Sequence, residues 1–340
     1  MKTNSLTLLL LVFAAACRSD GSDHGSKTEI ESRQIKKLGL NESSVISYPD
    51  DYTFAEDSTF SLLSWNVEHF VDPFDDPYIN HPREDSPRAE MTEKISLFVE
   101  AIKKADADVV VLQEFESEKY LMQLASDSFP ELNYRFFADA ASPNWYMNVV
   151  LMSRFPLGVM HAYGDVYTPL IDYENEKGIK ERQAKINTRM WKMQVFPSTN
   201  YQFWLCGVHL KAGRGERNEA TRLGQIALLK DQFNTLLRQD GAANLMIAGD
   251  FNALPDGPEL DELCRPAKGA VSFIDHLNPT DYTHPADKPE RRLDYILVNS
   301  QMQAEMIKNS LKVRSFFSAD SMRIISDHLP LTIQFRTSDL

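Results

Sequence analysis

Nine strand-like runs recur along this chain, and several of them are apolar at consecutive positions rather than at alternate ones. Beta-branched and aromatic residues dominate these runs, which is typical of β-strands. A strand that is apolar on both faces needs cover on both sides, so these runs predict central strands of buried sheets. The runs are Phe60 to Trp65, Val109 to Leu112, Tyr134 to Phe137, Val149 to Met152, Ile186 to Phe196, Phe203 to Val208, Leu245 to Ala248, Tyr295 to Val298 and Leu331 to Phe335.

Three helices are predicted between these runs, two of them from clear apolar stripes and a shorter third one from about Ser117 to Ser126. The two stripes are Met91, Ile95, Phe98, Val99 and Ile102, and Leu223, Ile226, Leu229, Phe233 and Leu236. Many strands with a few interspersed helices predict a layered α/β sandwich with the helices outside. Two polar segments, Asp72 to Arg88 and Gly164 to Gln183, are predicted to be long loops that frame a pocket.

The N-terminal segment is typical of an export signal. The apolar stretch Leu8 to Ala16 is too short to span a bilayer, and it ends in small residues before Cys17. This arrangement resembles a bacterial lipobox, which predicts a signal peptide over residues 1–17 and acylation of Cys17. Ordinary signal cleavage is the alternative. Residues 18–57 would then tether a domain of residues 58–337 to a bacterial membrane, facing the periplasm or the cell surface.

Charge and cysteine content restrict the partners. A net charge of -13 disfavours broad basic contact with nucleic acid, although it permits a local phosphate contact that a metal bridges. Cys206 lies in an apolar run and is expected to be a buried thiol, while a Cys206–Cys264 disulfide stays an open alternative. No Cys-x-x-Cys pair indicates structural zinc.

Polar residues with catalytic chemistry recur where the strand-like runs end or begin. Asp250 and Asn252 follow a short buried run, and side chains two residues apart in extended chain point to the same side. A carboxylate that takes a proton, beside an amide that holds a water or a phosphate oxygen, is what hydrolysis at phosphorus requires. The motifs are Ser64-Trp65-Asn66-Val67-Glu68, Val111-Leu112-Gln113-Glu114, Gly207-Val208-His209-Leu210-Lys211, Gly249-Asp250-Phe251-Asn252, Arg292-Leu293-Asp294-Tyr295-Ile296 and Ser326-Asp327-His328-Leu329-Pro330.

In this order, the motifs resemble the endonuclease/exonuclease/phosphatase superfamily, whose members have the DNase I-like fold. The resemblance extends from about Phe60 to Phe335. It implies a four-layered α/β sandwich in which helices flank two packed mixed β-sheets. It also implies a divalent metal, usually Mg²⁺ with Mn²⁺ or Ca²⁺ as alternatives, and hydrolysis of a P–O bond by water.

The resemblance also implies a division of roles among the motif residues. Glu114 is expected to be the principal metal ligand, because a hard carboxylate suits Mg²⁺. Asn66 would ligate the metal or orient its ligands, and Asp327 and Glu68 would add carboxylates.

The catalytic residues are expected on the other motifs. Asp250 would accept the proton of the attacking water, and Asn252 would hold that water or a phosphate oxygen. His209 and His328 would donate hydrogen bonds to the phosphoryl oxygens, and Asp294 would orient His328.

Further contacts with the substrate are expected from Asn148, Lys211 and Arg214, and a polyanion could also meet Arg291 and Arg292. The favoured interpretation is a monomeric phosphodiesterase or nuclease that acts on extracytoplasmic nucleic acid, nucleotides or small phosphodiesters. One alternative is a lipid or polyol phosphate hydrolase, which predicts an exposed aromatic membrane-inserting loop that the sequence does not indicate. The other is a catalytically silent binding module on the same fold.

Overall fold

The computed structural model describes residues 46, 48–54, 57–85, 91–140, 145–183, 185–186, 189–266 and 269–337. The predicted signal peptide, Cys17 and most of the predicted tether lie outside these residues. No helix in the described ranges is both long enough and apolar enough to cross a membrane.

Within the described ranges the chain forms fourteen strands and seven α-helices. The strands are β1 (Thr59–Phe70), β2 (Val109–Phe115), β3 (Phe136–Asp139), β4 (Asn148–Ser153), β5 (His161–Ala162), β6 (Thr168–Glu174), β7 (Lys180–Gln183), β8 (Met190–Ser198), β9 (Tyr201–His209), β10 (Leu245–Asp250), β11 (Ile274–Asp275), β12 (Asp294–Val298), β13 (Lys312–Val313) and β14 (Leu331–Arg336). The helices are α1 (Pro82–Asp85), α2 (Met91–Ala105), α3 (Glu118–Ser128), α4 (Glu216–Gln239), α5 (Pro258–Cys264), α6 (Ser300–Glu305) and α7 (Ala319–Ile325).

Two six-stranded mixed sheets form the centre of the domain. The strand order is β13-β14-β1-β2-β4-β3 in the first sheet and β11-β12-β10-β9-β8-β5 in the second. Each sheet has one parallel pair at its centre, β1 with β2 and β9 with β10, and antiparallel neighbours on both sides of that pair. Parallel neighbours end at the same edge of a sheet, so each central pair presents two carboxyl ends side by side.

Three large apolar clusters pack between the layers. Phe60, Trp191 and Phe203 belong to the cluster between the two sheets, and Phe60 and Phe203 stack with ring centroids 5.0 Å apart. Phe98 of α2 packs on the outer face of the first sheet, and Phe233 of α4 packs on the outer face of the second. The predicted four-layered sandwich is therefore confirmed, and strands apolar on both faces are its central strands.

The segment predicted to be a loop from Gly164 to Gln183 instead contains the β6–β7 hairpin, so that prediction is wrong. The hairpin lies against α4, where a Cβ at Gly224 would fall 1.9 Å from the carbonyl oxygen of Pro169. Glycine at that one helical position allows the close approach. The charged outer residues of the hairpin hid this packing from the sequence pattern.

The two remaining cysteines are unpaired. Cys206 is buried in β9 and Cys264 is half-buried at the end of α5, and neither forms a disulfide. The disulfide alternative is therefore wrong, and the expected buried thiol at Cys206 is confirmed.

Candidate active site

The carboxyl ends of the four central strands meet where the two sheets face each other. Asn66 of β1 donates from Nδ2 to Oδ2 of Asp250 on β10 at 3.0 Å and to Oε1 of Glu114 on β2 at 3.4 Å. Nε2 of His209, the last residue of β9, lies 3.6 Å from the same Asp250 oxygen and 3.7 Å from Glu114 Oε1. Four motifs that are far apart in sequence therefore converge on one polar centre.

Local backbone conformation directs these side chains. Glu68, His69, Glu114 and Asn252 have φ values of 44°, 51°, 59° and 51°, in the left-handed region that non-glycine residues seldom adopt. The register of β2 against β4 shifts between Gln113 and Phe115, so Glu114 lies on an irregularity that redirects its side chain. Residues in costly conformations that cluster at one place are characteristic of functional sites.

A glycine brings β9 and β10 together just before Asp250. Gly249 has a φ of 148°, and a Cβ there would lie 1.9 Å from the carbonyl oxygen of Val208. The Gly-Asp pair of the motif therefore has a packing reason as well as a chemical one.

Asp250 is the most central of the acids and is almost fully buried. Its Oδ1 accepts from the backbone N–H of Asn252 at 2.8 Å, and its Oδ2 accepts from Asn252 Nδ2 at 3.1 Å. Burial raises the pKa of Asp250, and the positive charge of His328 opposes this only in part. A carboxylate with a raised pKa accepts a proton more readily, which suits a general base.

His328 approaches the same oxygen of Asp250 as Asn66 does. Its Nδ1 is 2.8 Å from Oδ2 of Asp294, so the expected hydrogen bond is present, and its Nε2 is 3.9 Å from Asp250 Oδ2. Burial alone would lower the pKa of His328, but the carboxylates of Asp294 and Asp250 outweigh it and raise the pKa to about 10. The ring is therefore a cation that Asp294 holds in place.

His209 differs from His328 in charge. It is 2% exposed, its Nδ1 has no hydrogen-bond partner in the described part of the chain, and burial lowers its pKa well below the usual range. A neutral ring whose Nε2 faces two carboxylates carries its proton on that nitrogen. His209 is therefore a neutral donor at the centre of the site.

Glu114 is supported by a series of contacts through His69, Tyr146 and His81. The backbone N–H of His69 donates to Glu114 Oε2 at 3.1 Å, and His69 Nδ1 lies 2.6 Å from the hydroxyl of Tyr146. That hydroxyl is 3.0 Å from Nδ1 of His81. His69 therefore has a structural role, since its backbone N–H supports Glu114 and its ring stacks on that of His81.

The other predicted acids occupy the rim. Asp327 Oδ2 lies 3.3 Å from Nε2 of His284, and its Oδ1 lies 3.8 Å from Nε2 of His328. Burial would raise the pKa of Asp327, but the hydrogen bond from His284 and nearby positive charges lower it instead. Glu68 points to Arg323, with 2.5 Å between Oε2 and Nη1. Its role as a metal ligand stays a prediction that requires this ion pair to open or to share its carboxylate.

The donor set fits a hard divalent cation. Burial raises the pKa of Glu114, and the charge of His328 and the hydrogen bond from Asn66 offset this only in part, so a cation beside the carboxyl would favour its ionised form. Asn66 Oδ1 accepts from the N–H of Glu68 at 3.0 Å, so in this arrangement Asn66 orients Glu114. Glu114 stays a predicted metal ligand, and Asp327 forms a group with His284 and His328 whose ligand atoms lie within 4.8 Å of one another. A group formed by Asp250, Asp294 and His328 also has ligand atoms within 4.8 Å of one another.

Of the residues predicted to bind substrate, Asn148 is buried, whereas Lys211 and Arg214 lie nearer the surface. Asn148 begins β4 opposite Phe115 and is buried, with Nδ2 donating to the Glu116 carbonyl and Oδ1 without a partner in the described ranges. Lys211 follows His209 and donates from Nζ to the Ala212 carbonyl at 3.0 Å, whereas Arg214 is exposed in the adjacent cleft.

The expectation that Arg292 meets a polyanion is wrong. Its side chain is 1% exposed, and its guanidinium pairs with Asp275 and donates to the Asn278 carbonyl, so it does not reach the surface. Its neighbour Arg291 lies in the cleft wall.

Arg189 is a site residue that the motifs did not indicate. Glu114 and Asp250 both act electrostatically on its guanidinium, yet burial dominates and lowers its pKa. Its Nη1 is buried without a hydrogen-bond partner in the described ranges, and the group lies 5.9 Å from the Trp145 ring. An arginine just before the apolar run of β8 was the only sequence signal.

A cleft of about 1120 Å³ opens beside the polar centre. Asn252 and His284 form its inner wall, and its surfaces combine cationic, apolar and acidic side chains. Among its lining residues are Arg214, Arg291, Leu254, Pro255, Tyr282 and Glu290. The mixture suits a ligand that has both an anionic group and an apolar or aromatic part.

Solved structures with the same fold are similar to this chain over most of its length. The human Nocturnin catalytic domain with bound sulfate is 19% identical, with a TM-score of 0.55, and the match covers 85% of this chain and 97% of that chain. D. rerio TDP2 complexed with single strand DNA product is 18% identical, with a TM-score of 0.53 and coverages of 82% and 99%. An endonuclease/exonuclease/phosphatase from Bacteroides vulgatus is 14% identical, with a TM-score of 0.52 and coverages of 83% and 100%. These structural matches show that the chain has the DNase I-like fold; at identities this low they show the fold alone.

Fold and site together define a phosphoester hydrolase. A model of the Endonuclease/Exonuclease/phosphatase family matches residues 63–328, which include Asn66, Glu114, His209, Asp250 and His328. The chain belongs to this family. No curated protein sequence matches it significantly.

Proposed function

We propose that this protein is a divalent-metal-dependent phosphodiesterase of the nuclease type, acting outside the cytoplasm on nucleic acid, nucleotides or small phosphodiesters. The observation that carries the proposal is the meeting of Glu114, His209, Asp250 and His328 at the joined edges of the two sheets. Their polar atoms approach to within 4 Å of one another in three of the pairs, those of Asp250 with each histidine and of Glu114 with His209.

Each residue has a role that follows from its surroundings. Glu114 and Asp327, with Glu68 if its ion pair opens, would hold the metal, and Asn66 would keep Glu114 aligned. When bound, the metal supplies positive charge that polarises the phosphoryl group. Asp250 takes the proton of the attacking water, and its raised pKa favours that transfer.

Two histidines of different charge stabilise the phosphoryl oxygens. His328 donates from Nε2 as a cation that Asp294 orients, and His209 donates from Nε2 as a neutral ring. Preorganised donors in a buried site stabilise developing negative charge more than they would in water. As the water oxygen bonds to phosphorus, the bond to the leaving oxygen breaks and that oxygen departs with the bonding electrons.

The cleft supports a substrate larger than inorganic phosphate. Arg214 and Arg291 offer charge to an anionic group, while Leu254 and Tyr282 offer apolar contact to a base or another ring. Residues 72–85 contain five acids and one arginine, which would repel a long polyanion. Small phosphodiesters and short or single-stranded ends are therefore the favoured substrates. The TDP2 neighbour is described as bound to a single strand DNA product, which agrees with that class.

The location outside the cytoplasm rests on the sequence of the first residues. A signal peptide over residues 1–17 and acylation of Cys17 would attach a monomeric enzyme to a bacterial membrane. Radiolabelled palmitate incorporation, compared between the natural chain and Cys17→Ser, tests this part of the proposal. Label in both variants, or in neither, contradicts it.

A second candidate, hydrolysis of a lipid phosphoester, gains support from one observation. Phe74 is 74% exposed and Tyr78 is 79% exposed in the segment between β1 and α1. The sequence pattern did not indicate such aromatic side chains at a surface, and they would suit contact with a lipid interface or with unstacked bases.

One panel of substrates distinguishes the candidates. The purified protein is assayed with Mg²⁺, Mn²⁺ or Ca²⁺ against plasmid DNA, single-stranded oligonucleotides, RNA, bis(p-nitrophenyl) phosphate, sphingomyelin vesicles and sugar phosphates, with EDTA as the control. We expect metal-dependent cleavage of bis(p-nitrophenyl) phosphate and short oligonucleotides. Activity on sphingomyelin alone supports the lipid candidate, and no cleavage of any substrate contradicts both.

A further inference from the structure

Three carboxylates, one from the segment between β1 and α1 and two from α1 itself, meet in a group separate from the residues assigned above. One oxygen from each of Asp75, Glu84 and Asp85 lies within 4.8 Å of the other two. Asp75 and Asp85 are exposed, whereas Glu84 is fully buried. Three negative charges at this separation repel one another unless a proton or a cation intervenes.

Glu84 is the residue of this group that indicates a ligand. Its Oε1 accepts from the backbone N–H of Asp76 at 2.6 Å, but its Oε2 is buried and has no hydrogen-bond partner in the described residues. A buried carboxylate oxygen without a partner costs free energy, so native structures seldom retain one without a compensating group. No lysine, arginine or histidine in the described ranges forms an ion pair with the three acids.

We propose that Asp75, Glu84 and Asp85 bind a second divalent cation, of the Ca²⁺ type, outside the catalytic centre. The three carboxylates supply hard oxygen ligands from one buried and two exposed side chains. Ca²⁺ accepts six to eight oxygens in flexible geometry, so water can complete a shell that opens to solvent. The unpartnered Glu84 oxygen then gains the partner that the protein chain itself does not supply.

The cation site would set the position of the segment beside the catalytic centre. The N–H of His81 donates to Asp85 Oδ1 at 3.0 Å, and His81 Nδ1 contacts the Tyr146 hydroxyl. That hydroxyl contacts His69, whose N–H donates to Glu114. A cation that orders this segment would therefore fix the positions of His81, Tyr146 and His69, which support Glu114. It would also fix the exposed side chains of Phe74 and Tyr78.

The test separates the two cation sites by removing one at a time. Thermal unfolding and isothermal titration with Ca²⁺ are measured on Glu114→Gln, which disables the catalytic site, and on Glu114→Gln with Glu84→Gln. We expect the first variant to bind one Ca²⁺ and to gain about 3–6 °C in Tm at saturation. The second should show neither effect. Glu114→Gln with Glu93→Gln is the matched control, since Glu93 is exposed in the first turn of α2 and removes equal charge outside the group.

Exposed substitutions guard against misfolding of the Glu84 variant. Asp75→Asn and Asp85→Asn in the same background should each weaken Ca²⁺ binding at least tenfold. The proposal is overturned if Glu114→Gln binds no Ca²⁺, or if Glu84→Gln leaves binding intact. It is also overturned if Glu84→Gln raises Tm while Ca²⁺ has no effect on either variant, because Glu84 is then a buried protonated acid.

Discussion

Replacing Arg189 by methionine should make this enzyme slower and its fold more stable at the same time. Nη1 of its guanidinium is buried and lacks a hydrogen-bond partner in the described residues, and burial lowers the pKa of Arg189 despite Glu114 and Asp250 nearby. Methionine keeps much of the side-chain volume and removes the unpaired donor. Because an unsatisfied buried donor costs about 1–3 kcal/mol, Arg189→Met should raise the free energy of unfolding by about that amount.

The loss of activity follows from the same geometry. A buried cation beside the two acids of the catalytic centre is a preorganised donor for an anionic phosphoryl oxygen. Removal of one such donor lowers kcat by about 10²–10³-fold, so turnover of bis(p-nitrophenyl) phosphate should fall by that factor. Arg189→Lys should recover part of the rate, since lysine retains the charge without the planar pair of donors.

Two measurements on one set of proteins decide the matter. Urea unfolding in EDTA gives the stability difference, and steady-state kinetics with saturating Mg²⁺ give kcat and KM. Arg217→Met serves as the control, because Arg217 pairs on the surface with Glu181 at 2.8 Å. An Arg189→Met enzyme with normal kcat refutes the assigned role, and one with reduced stability refutes the claim that the buried donor is unsatisfied.

Three further results are expected. Glu114→Gln and His328→Ala should each lower kcat/KM on bis(p-nitrophenyl) phosphate by at least about 10²-fold, with unchanged circular dichroism, and a normal rate in either folded variant contradicts its role. EDTA should abolish hydrolysis and added Mg²⁺ or Mn²⁺ should restore it, whereas full activity after exhaustive chelation excludes metal dependence. Gly249→Ala should lower the free energy of unfolding, measured with urea, by about 1–3 kcal/mol or prevent soluble expression, because its Cβ would meet the Val208 carbonyl. A variant of natural stability contradicts the close approach of β9 and β10.

Local sequence pattern was sufficient for most of the fold. The apolar stripes of Met91 to Ile102 and Leu223 to Leu236 became α2 and α4, and the shorter third stripe became α3. The runs that are apolar on both faces became the central strands, since their side chains meet the facing sheet on one side and helices on the other.

Pattern failed where partners distant in sequence decide the structure. The β6–β7 hairpin carries charge on its exposed face, and its buried side exists only because Gly224 leaves room on α4. The sequence predicts that Arg292 is an exposed cation, but its side chain is buried and forms an ion pair with Asp275. Local periodicity contains no information about either contact.

By itself, the sequence determined which residue types end the central strands and therefore the chemistry that one edge of each sheet offers, because strand periodicity and the pattern of apolar residues are local properties. Only the tertiary structure decided that the two edges join and that Asp294 holds His328 as a cation while His209 stays neutral. It also decided that Arg189 lies beside the acids with its Nη1 lacking a hydrogen-bond partner among the described residues. Burial and electrostatic surroundings set charge, and both depend on contacts between separate motifs, from 34 positions apart for Asp294 and His328 to 184 for Asn66 and Asp250.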